Sequence, residues 1–421
     1  MKRYAMMETG WGKALFGVFL FAMMLLARDT LISSCILGFS RSQFLMLGVI
    51  CLFGMVFLIR NRREWKAILT DKRMILIGAS VLVLLIPMVG KQDWQLMYFS
   101  ILICLFFGVF LTYFISWQDA ARYYVVILAA LGVYSLVGMY VLKGLAMSGR
   151  IAPTVFVNSA GMEFYNFGLT FVVPWQFWHR NFGIFREPGV YQFFLILGIY
   201  LTHYAVSWKK TWTMWLMTAL LAATLVSTFA IGGFIELGLL VVFVYFDKKY
   251  YRTKIGIALG GLAVAAMTAV VIHIIIQIRT PYFELTVYYE FYDMFRRLTT
   301  DSDSLVDRLS AIFVSAGLFL KSPVFGDTIA NVLHGTAHNT SSTLILFAIL
   351  GVFGGVLNVA AWIALLWKRK RNIIGNLMLM MILFMSFNTQ NLTANVFFWL
   401  FPCMALTEVV LPKLKFPERK V

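Results

Sequence analysis

Apolar runs separated by short polar breaks recur from one end of the chain to the other. Each is about as long as a helix needs to be to cross a hydrocarbon layer of roughly 30 Å. They predict membrane helices near 13–27, 42–59, 74–90, 95–115, 122–142, 190–207, 211–229, 233–246, 255–276, 341–366, 373–388 and 391–411. The implied fold class is all-α, a polytopic membrane protein of about 12 transmembrane helices. Two long connections interrupt the rhythm, about 143–189 and 277–340. Links of that length are usually functional or disordered. Their aromatic and apolar content (IAPTVFV, FYNFGLTFVVPWQFW, ELTVYYEFYDMF) argues for folding onto the membrane face, with short interfacial helices as the expected form. In the second, apolar residues at 305, 306, 309, 312, 313 and 316 predict an amphipathic helix near 304–320. The layout is therefore five helices over 1–142, a first large loop to 189, helices six to nine over 190–276, and a second loop to 340. Three helices and a basic tail occupy 341–421.

Composition strengthens the membrane reading. With 61% hydrophobic and 13% charged residues and a mean hydropathy of +0.82, the chain falls far outside soluble domains, in which about a quarter of residues are charged. The net charge of +17 would suit nucleic acid, but its distribution argues otherwise. If twelve helices place both termini on one side, 24 of the 36 Lys and Arg lie there, in blocks such as RNRREWKAILTDKR, DKKYYRTK and KRKR. The short loops opposite hold only Arg28, Arg41 and Lys91. This asymmetry makes the basic side cytoplasmic. The first apolar run ends in Arg28-Asp29 with no small-residue cleavage site, as expected of a retained helix and not of a signal peptide. Four cysteines, Cys35, Cys51, Cys104 and Cys403, form neither a disulfide framework nor a metal-ligand spacing.

Candidate chemistry gathers in the two large loops. Of their nine basic residues seven are Arg, including Arg150, Arg186, Arg279 and Arg308. Arginine offers phosphate a planar, bidentate fork that lysine cannot. FREPGVYQFF (185–194) places Arg186 and Glu187 directly before a Pro that starts a helix; read locally, they are a polar collar and a helix N-terminus. His338 and Asn339 precede the tenth helix. Histidine is a credible general base near neutral pH, and Asn339 could bind a sugar hydroxyl or cap the helix. His334 stands four residues before His338, but Gly335 and the lack of a completing Glu argue against a metal site. Within the helices, Glu236 and His273 are the polar residues to follow; a charge in a span is costly and often functional.

These blocks carry a resemblance. Arg150 to Gly161, an Arg-x10-Gly spacing, is similar to the first large loop of the Wzy polysaccharide polymerases. Arg186-Glu187-Pro188 resembles an element found before a helix in O-antigen and capsule polymerases. DRLSAIFVSAGLFLKSPVFGD, followed by AHNTSSTLILFAILGVFG, is similar to the Arg, Pro-x-x-Gly, His-Asn and Gly block that Wzy proteins share with the WaaL O-antigen ligases. Two features differ from the ligases: eleven residues separate Asn339 from Gly351, and STFAIGG lacks the Ser-Arg of many ligase-like members.

The resemblance implies a GT-C-like glycosyltransferase in a bacterial plasma membrane. It would move a glycan from undecaprenyl diphosphate onto an incoming lipid-linked repeat unit, by inversion and without metal or cofactor. Arg150, Arg186 and Arg308, with Arg279 in reserve, would hold diphosphate. His338, or else Glu187, would take the acceptor proton, and Asn339 would bind glycan. Partners would be the lipid-linked donor and acceptor, membrane lipids, a chain-length regulator and a flippase. Two alternatives stand beside this: ligase-type transfer to another acceptor, and a non-catalytic transporter of lipid-linked glycans.

Overall fold

The computed structural model of the chain describes residues 9–60, 66, 70–158, 161–174, 180–252, 257, 303–334, 340–367 and 371–410. The chain is mostly helical. Its helices are α1 (Gly10–Leu26), α2 (Phe39–Arg60), α3 (Arg73–Lys91), α4 (Leu96–Leu111), α5 (Trp117–Val137), α6 (Pro188–Tyr204), α7 (Thr211–Ser227) and α8 (Ile231–Asp247). They continue with α9 (Asp303–Lys321), the short α10 (Ile329–His334), α11 (Ser342–Leu366), α12 (Ile373–Asn388) and α13 (Val396–Val410). Every apolar interval predicted from the sequence carries a helix except 255–276, which lies outside the described residues. Four stretches are long and apolar enough to cross a membrane: Phe39–Ile59, Arg73–Lys91, Trp117–Met147 and Ser342–Leu366.

Short polar residues set several starts. Thr9 caps α1 by accepting from Gly12 N at 3.1 Å. Ser116 caps α5 by accepting from Asp119 N at 3.0 Å, and Asn372 caps α12 by accepting from Gly375 N at 2.6 Å. Each satisfies a donor that a helix start leaves open.

The centre of the bundle is α6. From Val190 to Tyr204 every side chain is buried, so the helix has no lipid face. It packs on α5, α7, α8 and α12, and aromatic contacts join it to α13, with Phe194 and Phe397 rings 5.7 Å apart. Tyr124 of α5 donates to the Phe194 carbonyl at 3.0 Å. A helix apolar on all sides belongs in such an interior position.

The first large loop departs from expectation. It holds a three-stranded antiparallel sheet in place of interfacial helices: β1 (Thr154–Val157), β2 (Glu163–Asn166) and β3 (Phe171–Val172). The physical reason is the residue pattern. Alternating, aromatic-rich segments of four residues are too short for a helix but pair well as strands. Phe156, Phe164, Phe171 and Phe182 close a small core over Leu31. Gly161, the terminal glycine of the Arg-x10-Gly spacing, sits in the β1–β2 hairpin at φ +77°. Asn158 closes that turn by accepting from Met162 N at 2.9 Å. The fifth helix also runs on through a π-helical turn (Gly138–Leu142) to Met147. Lys143 is therefore buried within it and does not stand in the loop.

In the second loop α9 falls where the apolar spacing placed a helix. Beyond it, Pro323 to Asp327 lies in a break of α11. Gly351 has φ 65° and ψ −162°, which removes it from the helical hydrogen-bond ladder. Val352 N donates to the Pro323 carbonyl at 2.8 Å, and Asp327 N donates to the Ala348 carbonyl at 2.6 Å. Lys91 at the end of α3 fills the remaining need. Its ammonium donates to the Ile349 carbonyl at 2.6 Å, the Asp327 carbonyl at 2.7 Å and the Tyr98 hydroxyl at 2.9 Å. Beside it, Asp93 Oδ2 accepts from Ile329 N at 2.8 Å and so starts α10. All three ammonium protons of Lys91 are thus used.

Replacing Lys91 with Met leaves two carbonyls without their donor, at roughly 1–3 kcal/mol for each buried group. We expect purified Lys91→Met protein to melt several degrees below wild type in the same detergent. An unchanged melting temperature would remove Lys91 from the latch.

Candidate functional site

Residues 180–187 form the approach to α6, and four contacts fix them. Asn181 is buried; its Nδ2 donates to Ser135 Oγ and Ser227 Oγ, both at 2.9 Å. Its Oδ1 accepts from Gly183 N at 2.9 Å. Gly183 has φ +54° and lies against the Tyr191 ring, where an added Cβ would come within 2.6 Å of the ring. Phe185 pairs with Thr30 in an antiparallel bridge, flanked by Leu31 N donating to the Ile184 carbonyl at 2.8 Å. Arg186 N completes the pairing by donating to the Asp29 carbonyl at 3.0 Å.

That pairing brings Arg186 onto the carboxylate of Asp29. Its Nε lies 3.2 Å from Asp29 Oδ1, but off the hydrogen-bonding angle. We read the contact as an ion pair and not a directed hydrogen bond. The other carboxylate oxygen accepts from Asn395 Nδ2 at 2.8 Å. Asn395 also accepts from Phe397 N at 2.9 Å, holding the first turn of α13. Asp29 is 5% exposed, whereas one third of the Arg186 side chain faces outward. Its other nitrogens are therefore directed past a buried anchor.

Glu187 is the N-cap residue of α6, but its side chain makes no capping hydrogen bond. Its carboxylate is half exposed, 4.0 Å from Arg186 Nη1. The collar reading thus accounts for Pro188 and leaves this carboxylate without a backbone role. The wall beyond is tight. Gly189 lies under the Gln390 amide, so close that any side chain at 189 would overlap it. Ser342 at the head of α11 ties in the same 387–392 segment. Its hydroxyl donates within 2.7 Å of the Phe387 and Gln390 carbonyls and accepts from Leu392 N at 2.8 Å.

The predicted site residues divide accordingly. Arg186 and Glu187 stand together at the mouth of α6. Arg150 is exposed, between the end of the fifth helix and β1. No described contact joins its side chain to Arg186. Arg308 falls on α9, but its side chain is outside the described residues, as are Arg279, His338 and Asn339. Glu236 is fully buried in α8, and its carboxylate and the Gln192 amide both lie against Gly232. Asp29 and Asn395 were missed in the sequence. The available signal for Asp29 was a charge pair, Arg28-Asp29, directly after an apolar run.

The chain matches no family model, no curated protein and no solved structure.

Proposed function

We propose that the protein is a polymerase of lipid-linked oligosaccharide repeat units, a glycosyltransferase spanning the bacterial plasma membrane about twelve times with both termini cytoplasmic. The observation that carries this reading is the Arg186–Glu187 pair. A partly exposed guanidinium is fixed from behind by Asp29, beside a carboxylate that the helix does not use as a cap. Diphosphate departure needs concentrated, preorganised positive charge, and a glycan acceptor needs a group to take its proton.

In the proposed reaction an acceptor hydroxyl attacks the anomeric carbon of the donor glycan. The new C–O bond forms as the bond to the diphosphate oxygen breaks, with inversion. The hydroxyl proton passes to His338 or Glu187, and the electron pair leaves on the lipid diphosphate. Arg186, with Arg150, Arg308 or Arg279, receives the added negative charge, and Asn339 binds glycan. Lipid-linked donor and acceptor are the expected partners, with a chain-length regulator and a flippase working on the same pool.

Purified protein in liposomes with purified lipid-linked repeat units tests this directly. A ladder of longer glycans is expected on a gel. Transfer to a different acceptor in place of a ladder would point to a ligase. Movement of the lipid across the bilayer without any new glycosidic bond would point to a transporter.

A further inference from the structure

The polar groups around Arg186 include a second arginine. Arg28 directly precedes Asp29 in the connection between α1 and α2, which is itself paired with the approach to α6. Thr30 lies opposite Phe185 and Asp29 opposite Arg186, so Arg28 reaches the same corner. Among the described residues Arg28 forms no hydrogen bond or ion pair; its guanidinium lies 5.6 Å from the centre of the Phe39 ring. It is half-buried. Burial, opposed by Asp29 and reinforced by the Arg186 charge, holds its pKa below the usual arginine value. Two guanidinium groups therefore share one buried carboxylate, leaving one positive charge in excess. A partly buried guanidinium with its donors unspent is costly unless an anion meets it.

From this geometry we infer that Arg28 and Arg186 together grip the diphosphate of a lipid-linked glycan, with Asp29 as the residue that positions Arg186. The inference rests on the function proposed above and names the phosphate-binding residue that the STFAIGG segment fails to supply. Asp29 turns the Nε edge of Arg186 inward, so the terminal nitrogens remain for phosphate oxygens. Its charge also allows two arginines to stand close without net repulsion. Asn395 holds Asp29 from the other side. A glycan-linked lipid diphosphate carries two negative charges, and breaking the C–O bond leaves a third on the departing group. A paired cationic clamp therefore favours the state after bond cleavage over the bound substrate, as a catalytic anion site must.

Binding of undecaprenyl diphosphate to the full chain in lipid nanodiscs, read by native mass spectrometry, tests the clamp. Undecaprenyl monophosphate and inorganic diphosphate serve as comparison probes. Arg28→Ala and Arg186→Ala should each weaken lipid diphosphate binding about 10–100-fold, with melting temperatures near wild type. Monophosphate binding should be weaker at the outset and less affected. Asp29→Asn separates positioning from bulk charge. The substitution makes the corner more positive, so a site reading charge alone would bind tighter, whereas a lost position weakens binding.

If wild type fails to bind the lipid diphosphate, the proposed function fails. If wild type binds, Arg186→Ala weakens binding and Arg28→Ala does not, only the clamp is overturned. Tighter binding by Asp29→Asn removes the positioning role. Inorganic diphosphate competing as well as the lipid would assign the site to a free anion and overturn the lipid-linked assignment.

Discussion

Gly351→Ala is expected to leave little folded protein in the membrane. At φ 65° and ψ −162° the residue occupies a region that side chains avoid. A methyl group there would also overlap the Val324 carbonyl. The facing residue is under the same constraint. Gly326 has φ +71°, and a Cβ would come within 2.5 Å of the Ile349 carbonyl. Two backbones thus cross with no room for a side chain on either. Backbone strain and overpacking together cost on the order of 3–5 kcal/mol, a large share of the stability of any domain. The measurement is the yield of monodisperse protein after detergent extraction, with the melting temperature of whatever survives. Gly317→Ala is the control on the same segment, since nothing lies within 4 Å of a Cβ there. Normal yield and melting temperature for Gly351→Ala would mean that the break in α11 is not built as described.

The same crossing explains which parts of this protein could be read from its residues. Helix positions were legible because each span is an uninterrupted apolar run, and the bilayer forces such a run to satisfy its own backbone as a helix. The Pro-x-x-Gly and Gly351 spacing was visible as a motif. Its cause was not, because only the fold brings 323–327 against 348–352. The sheet of the first loop was hidden by its size: four-residue strands give too few alternations to stand out from an aromatic-rich loop. Lys91 was counted as a stray charge in a short loop, although it is a three-pronged donor to a broken helix. Asp29 and Asn395 were invisible as partners because 366 residues separate them, and no local pattern encodes that meeting. Arg186 and Glu187 could be found because both stand beside a helix-starting proline where the local backbone had no need of two charges.

Arg186→Lys is expected to lower glycan polymerisation by roughly 10²-fold, the scale on which one preorganised anion donor acts, while the protein folds normally. The charge is conserved, so a site needing only positive potential would tolerate the change. Arg186, however, has two tasks at once. Its Nε edge meets Asp29, and its terminal nitrogens face outward beside Glu187. A guanidinium can do both because its donors sit at fixed angles on a rigid plane. A lysine carries one compact ammonium at the end of a flexible stem. Paired with Asp29 it withdraws from the substrate, and turned to the substrate it leaves Asp29 uncompensated behind it. The backbone donor from residue 186 to Asp29 survives the substitution, so the approach to α6 should keep its path and the melting temperature should hold. Ladder formation at saturating donor is the decisive reading. A variant that reaches wild-type turnover would show that residue 186 supplies charge alone, and the case for a fixed diphosphate fork at the mouth of α6 would collapse with it.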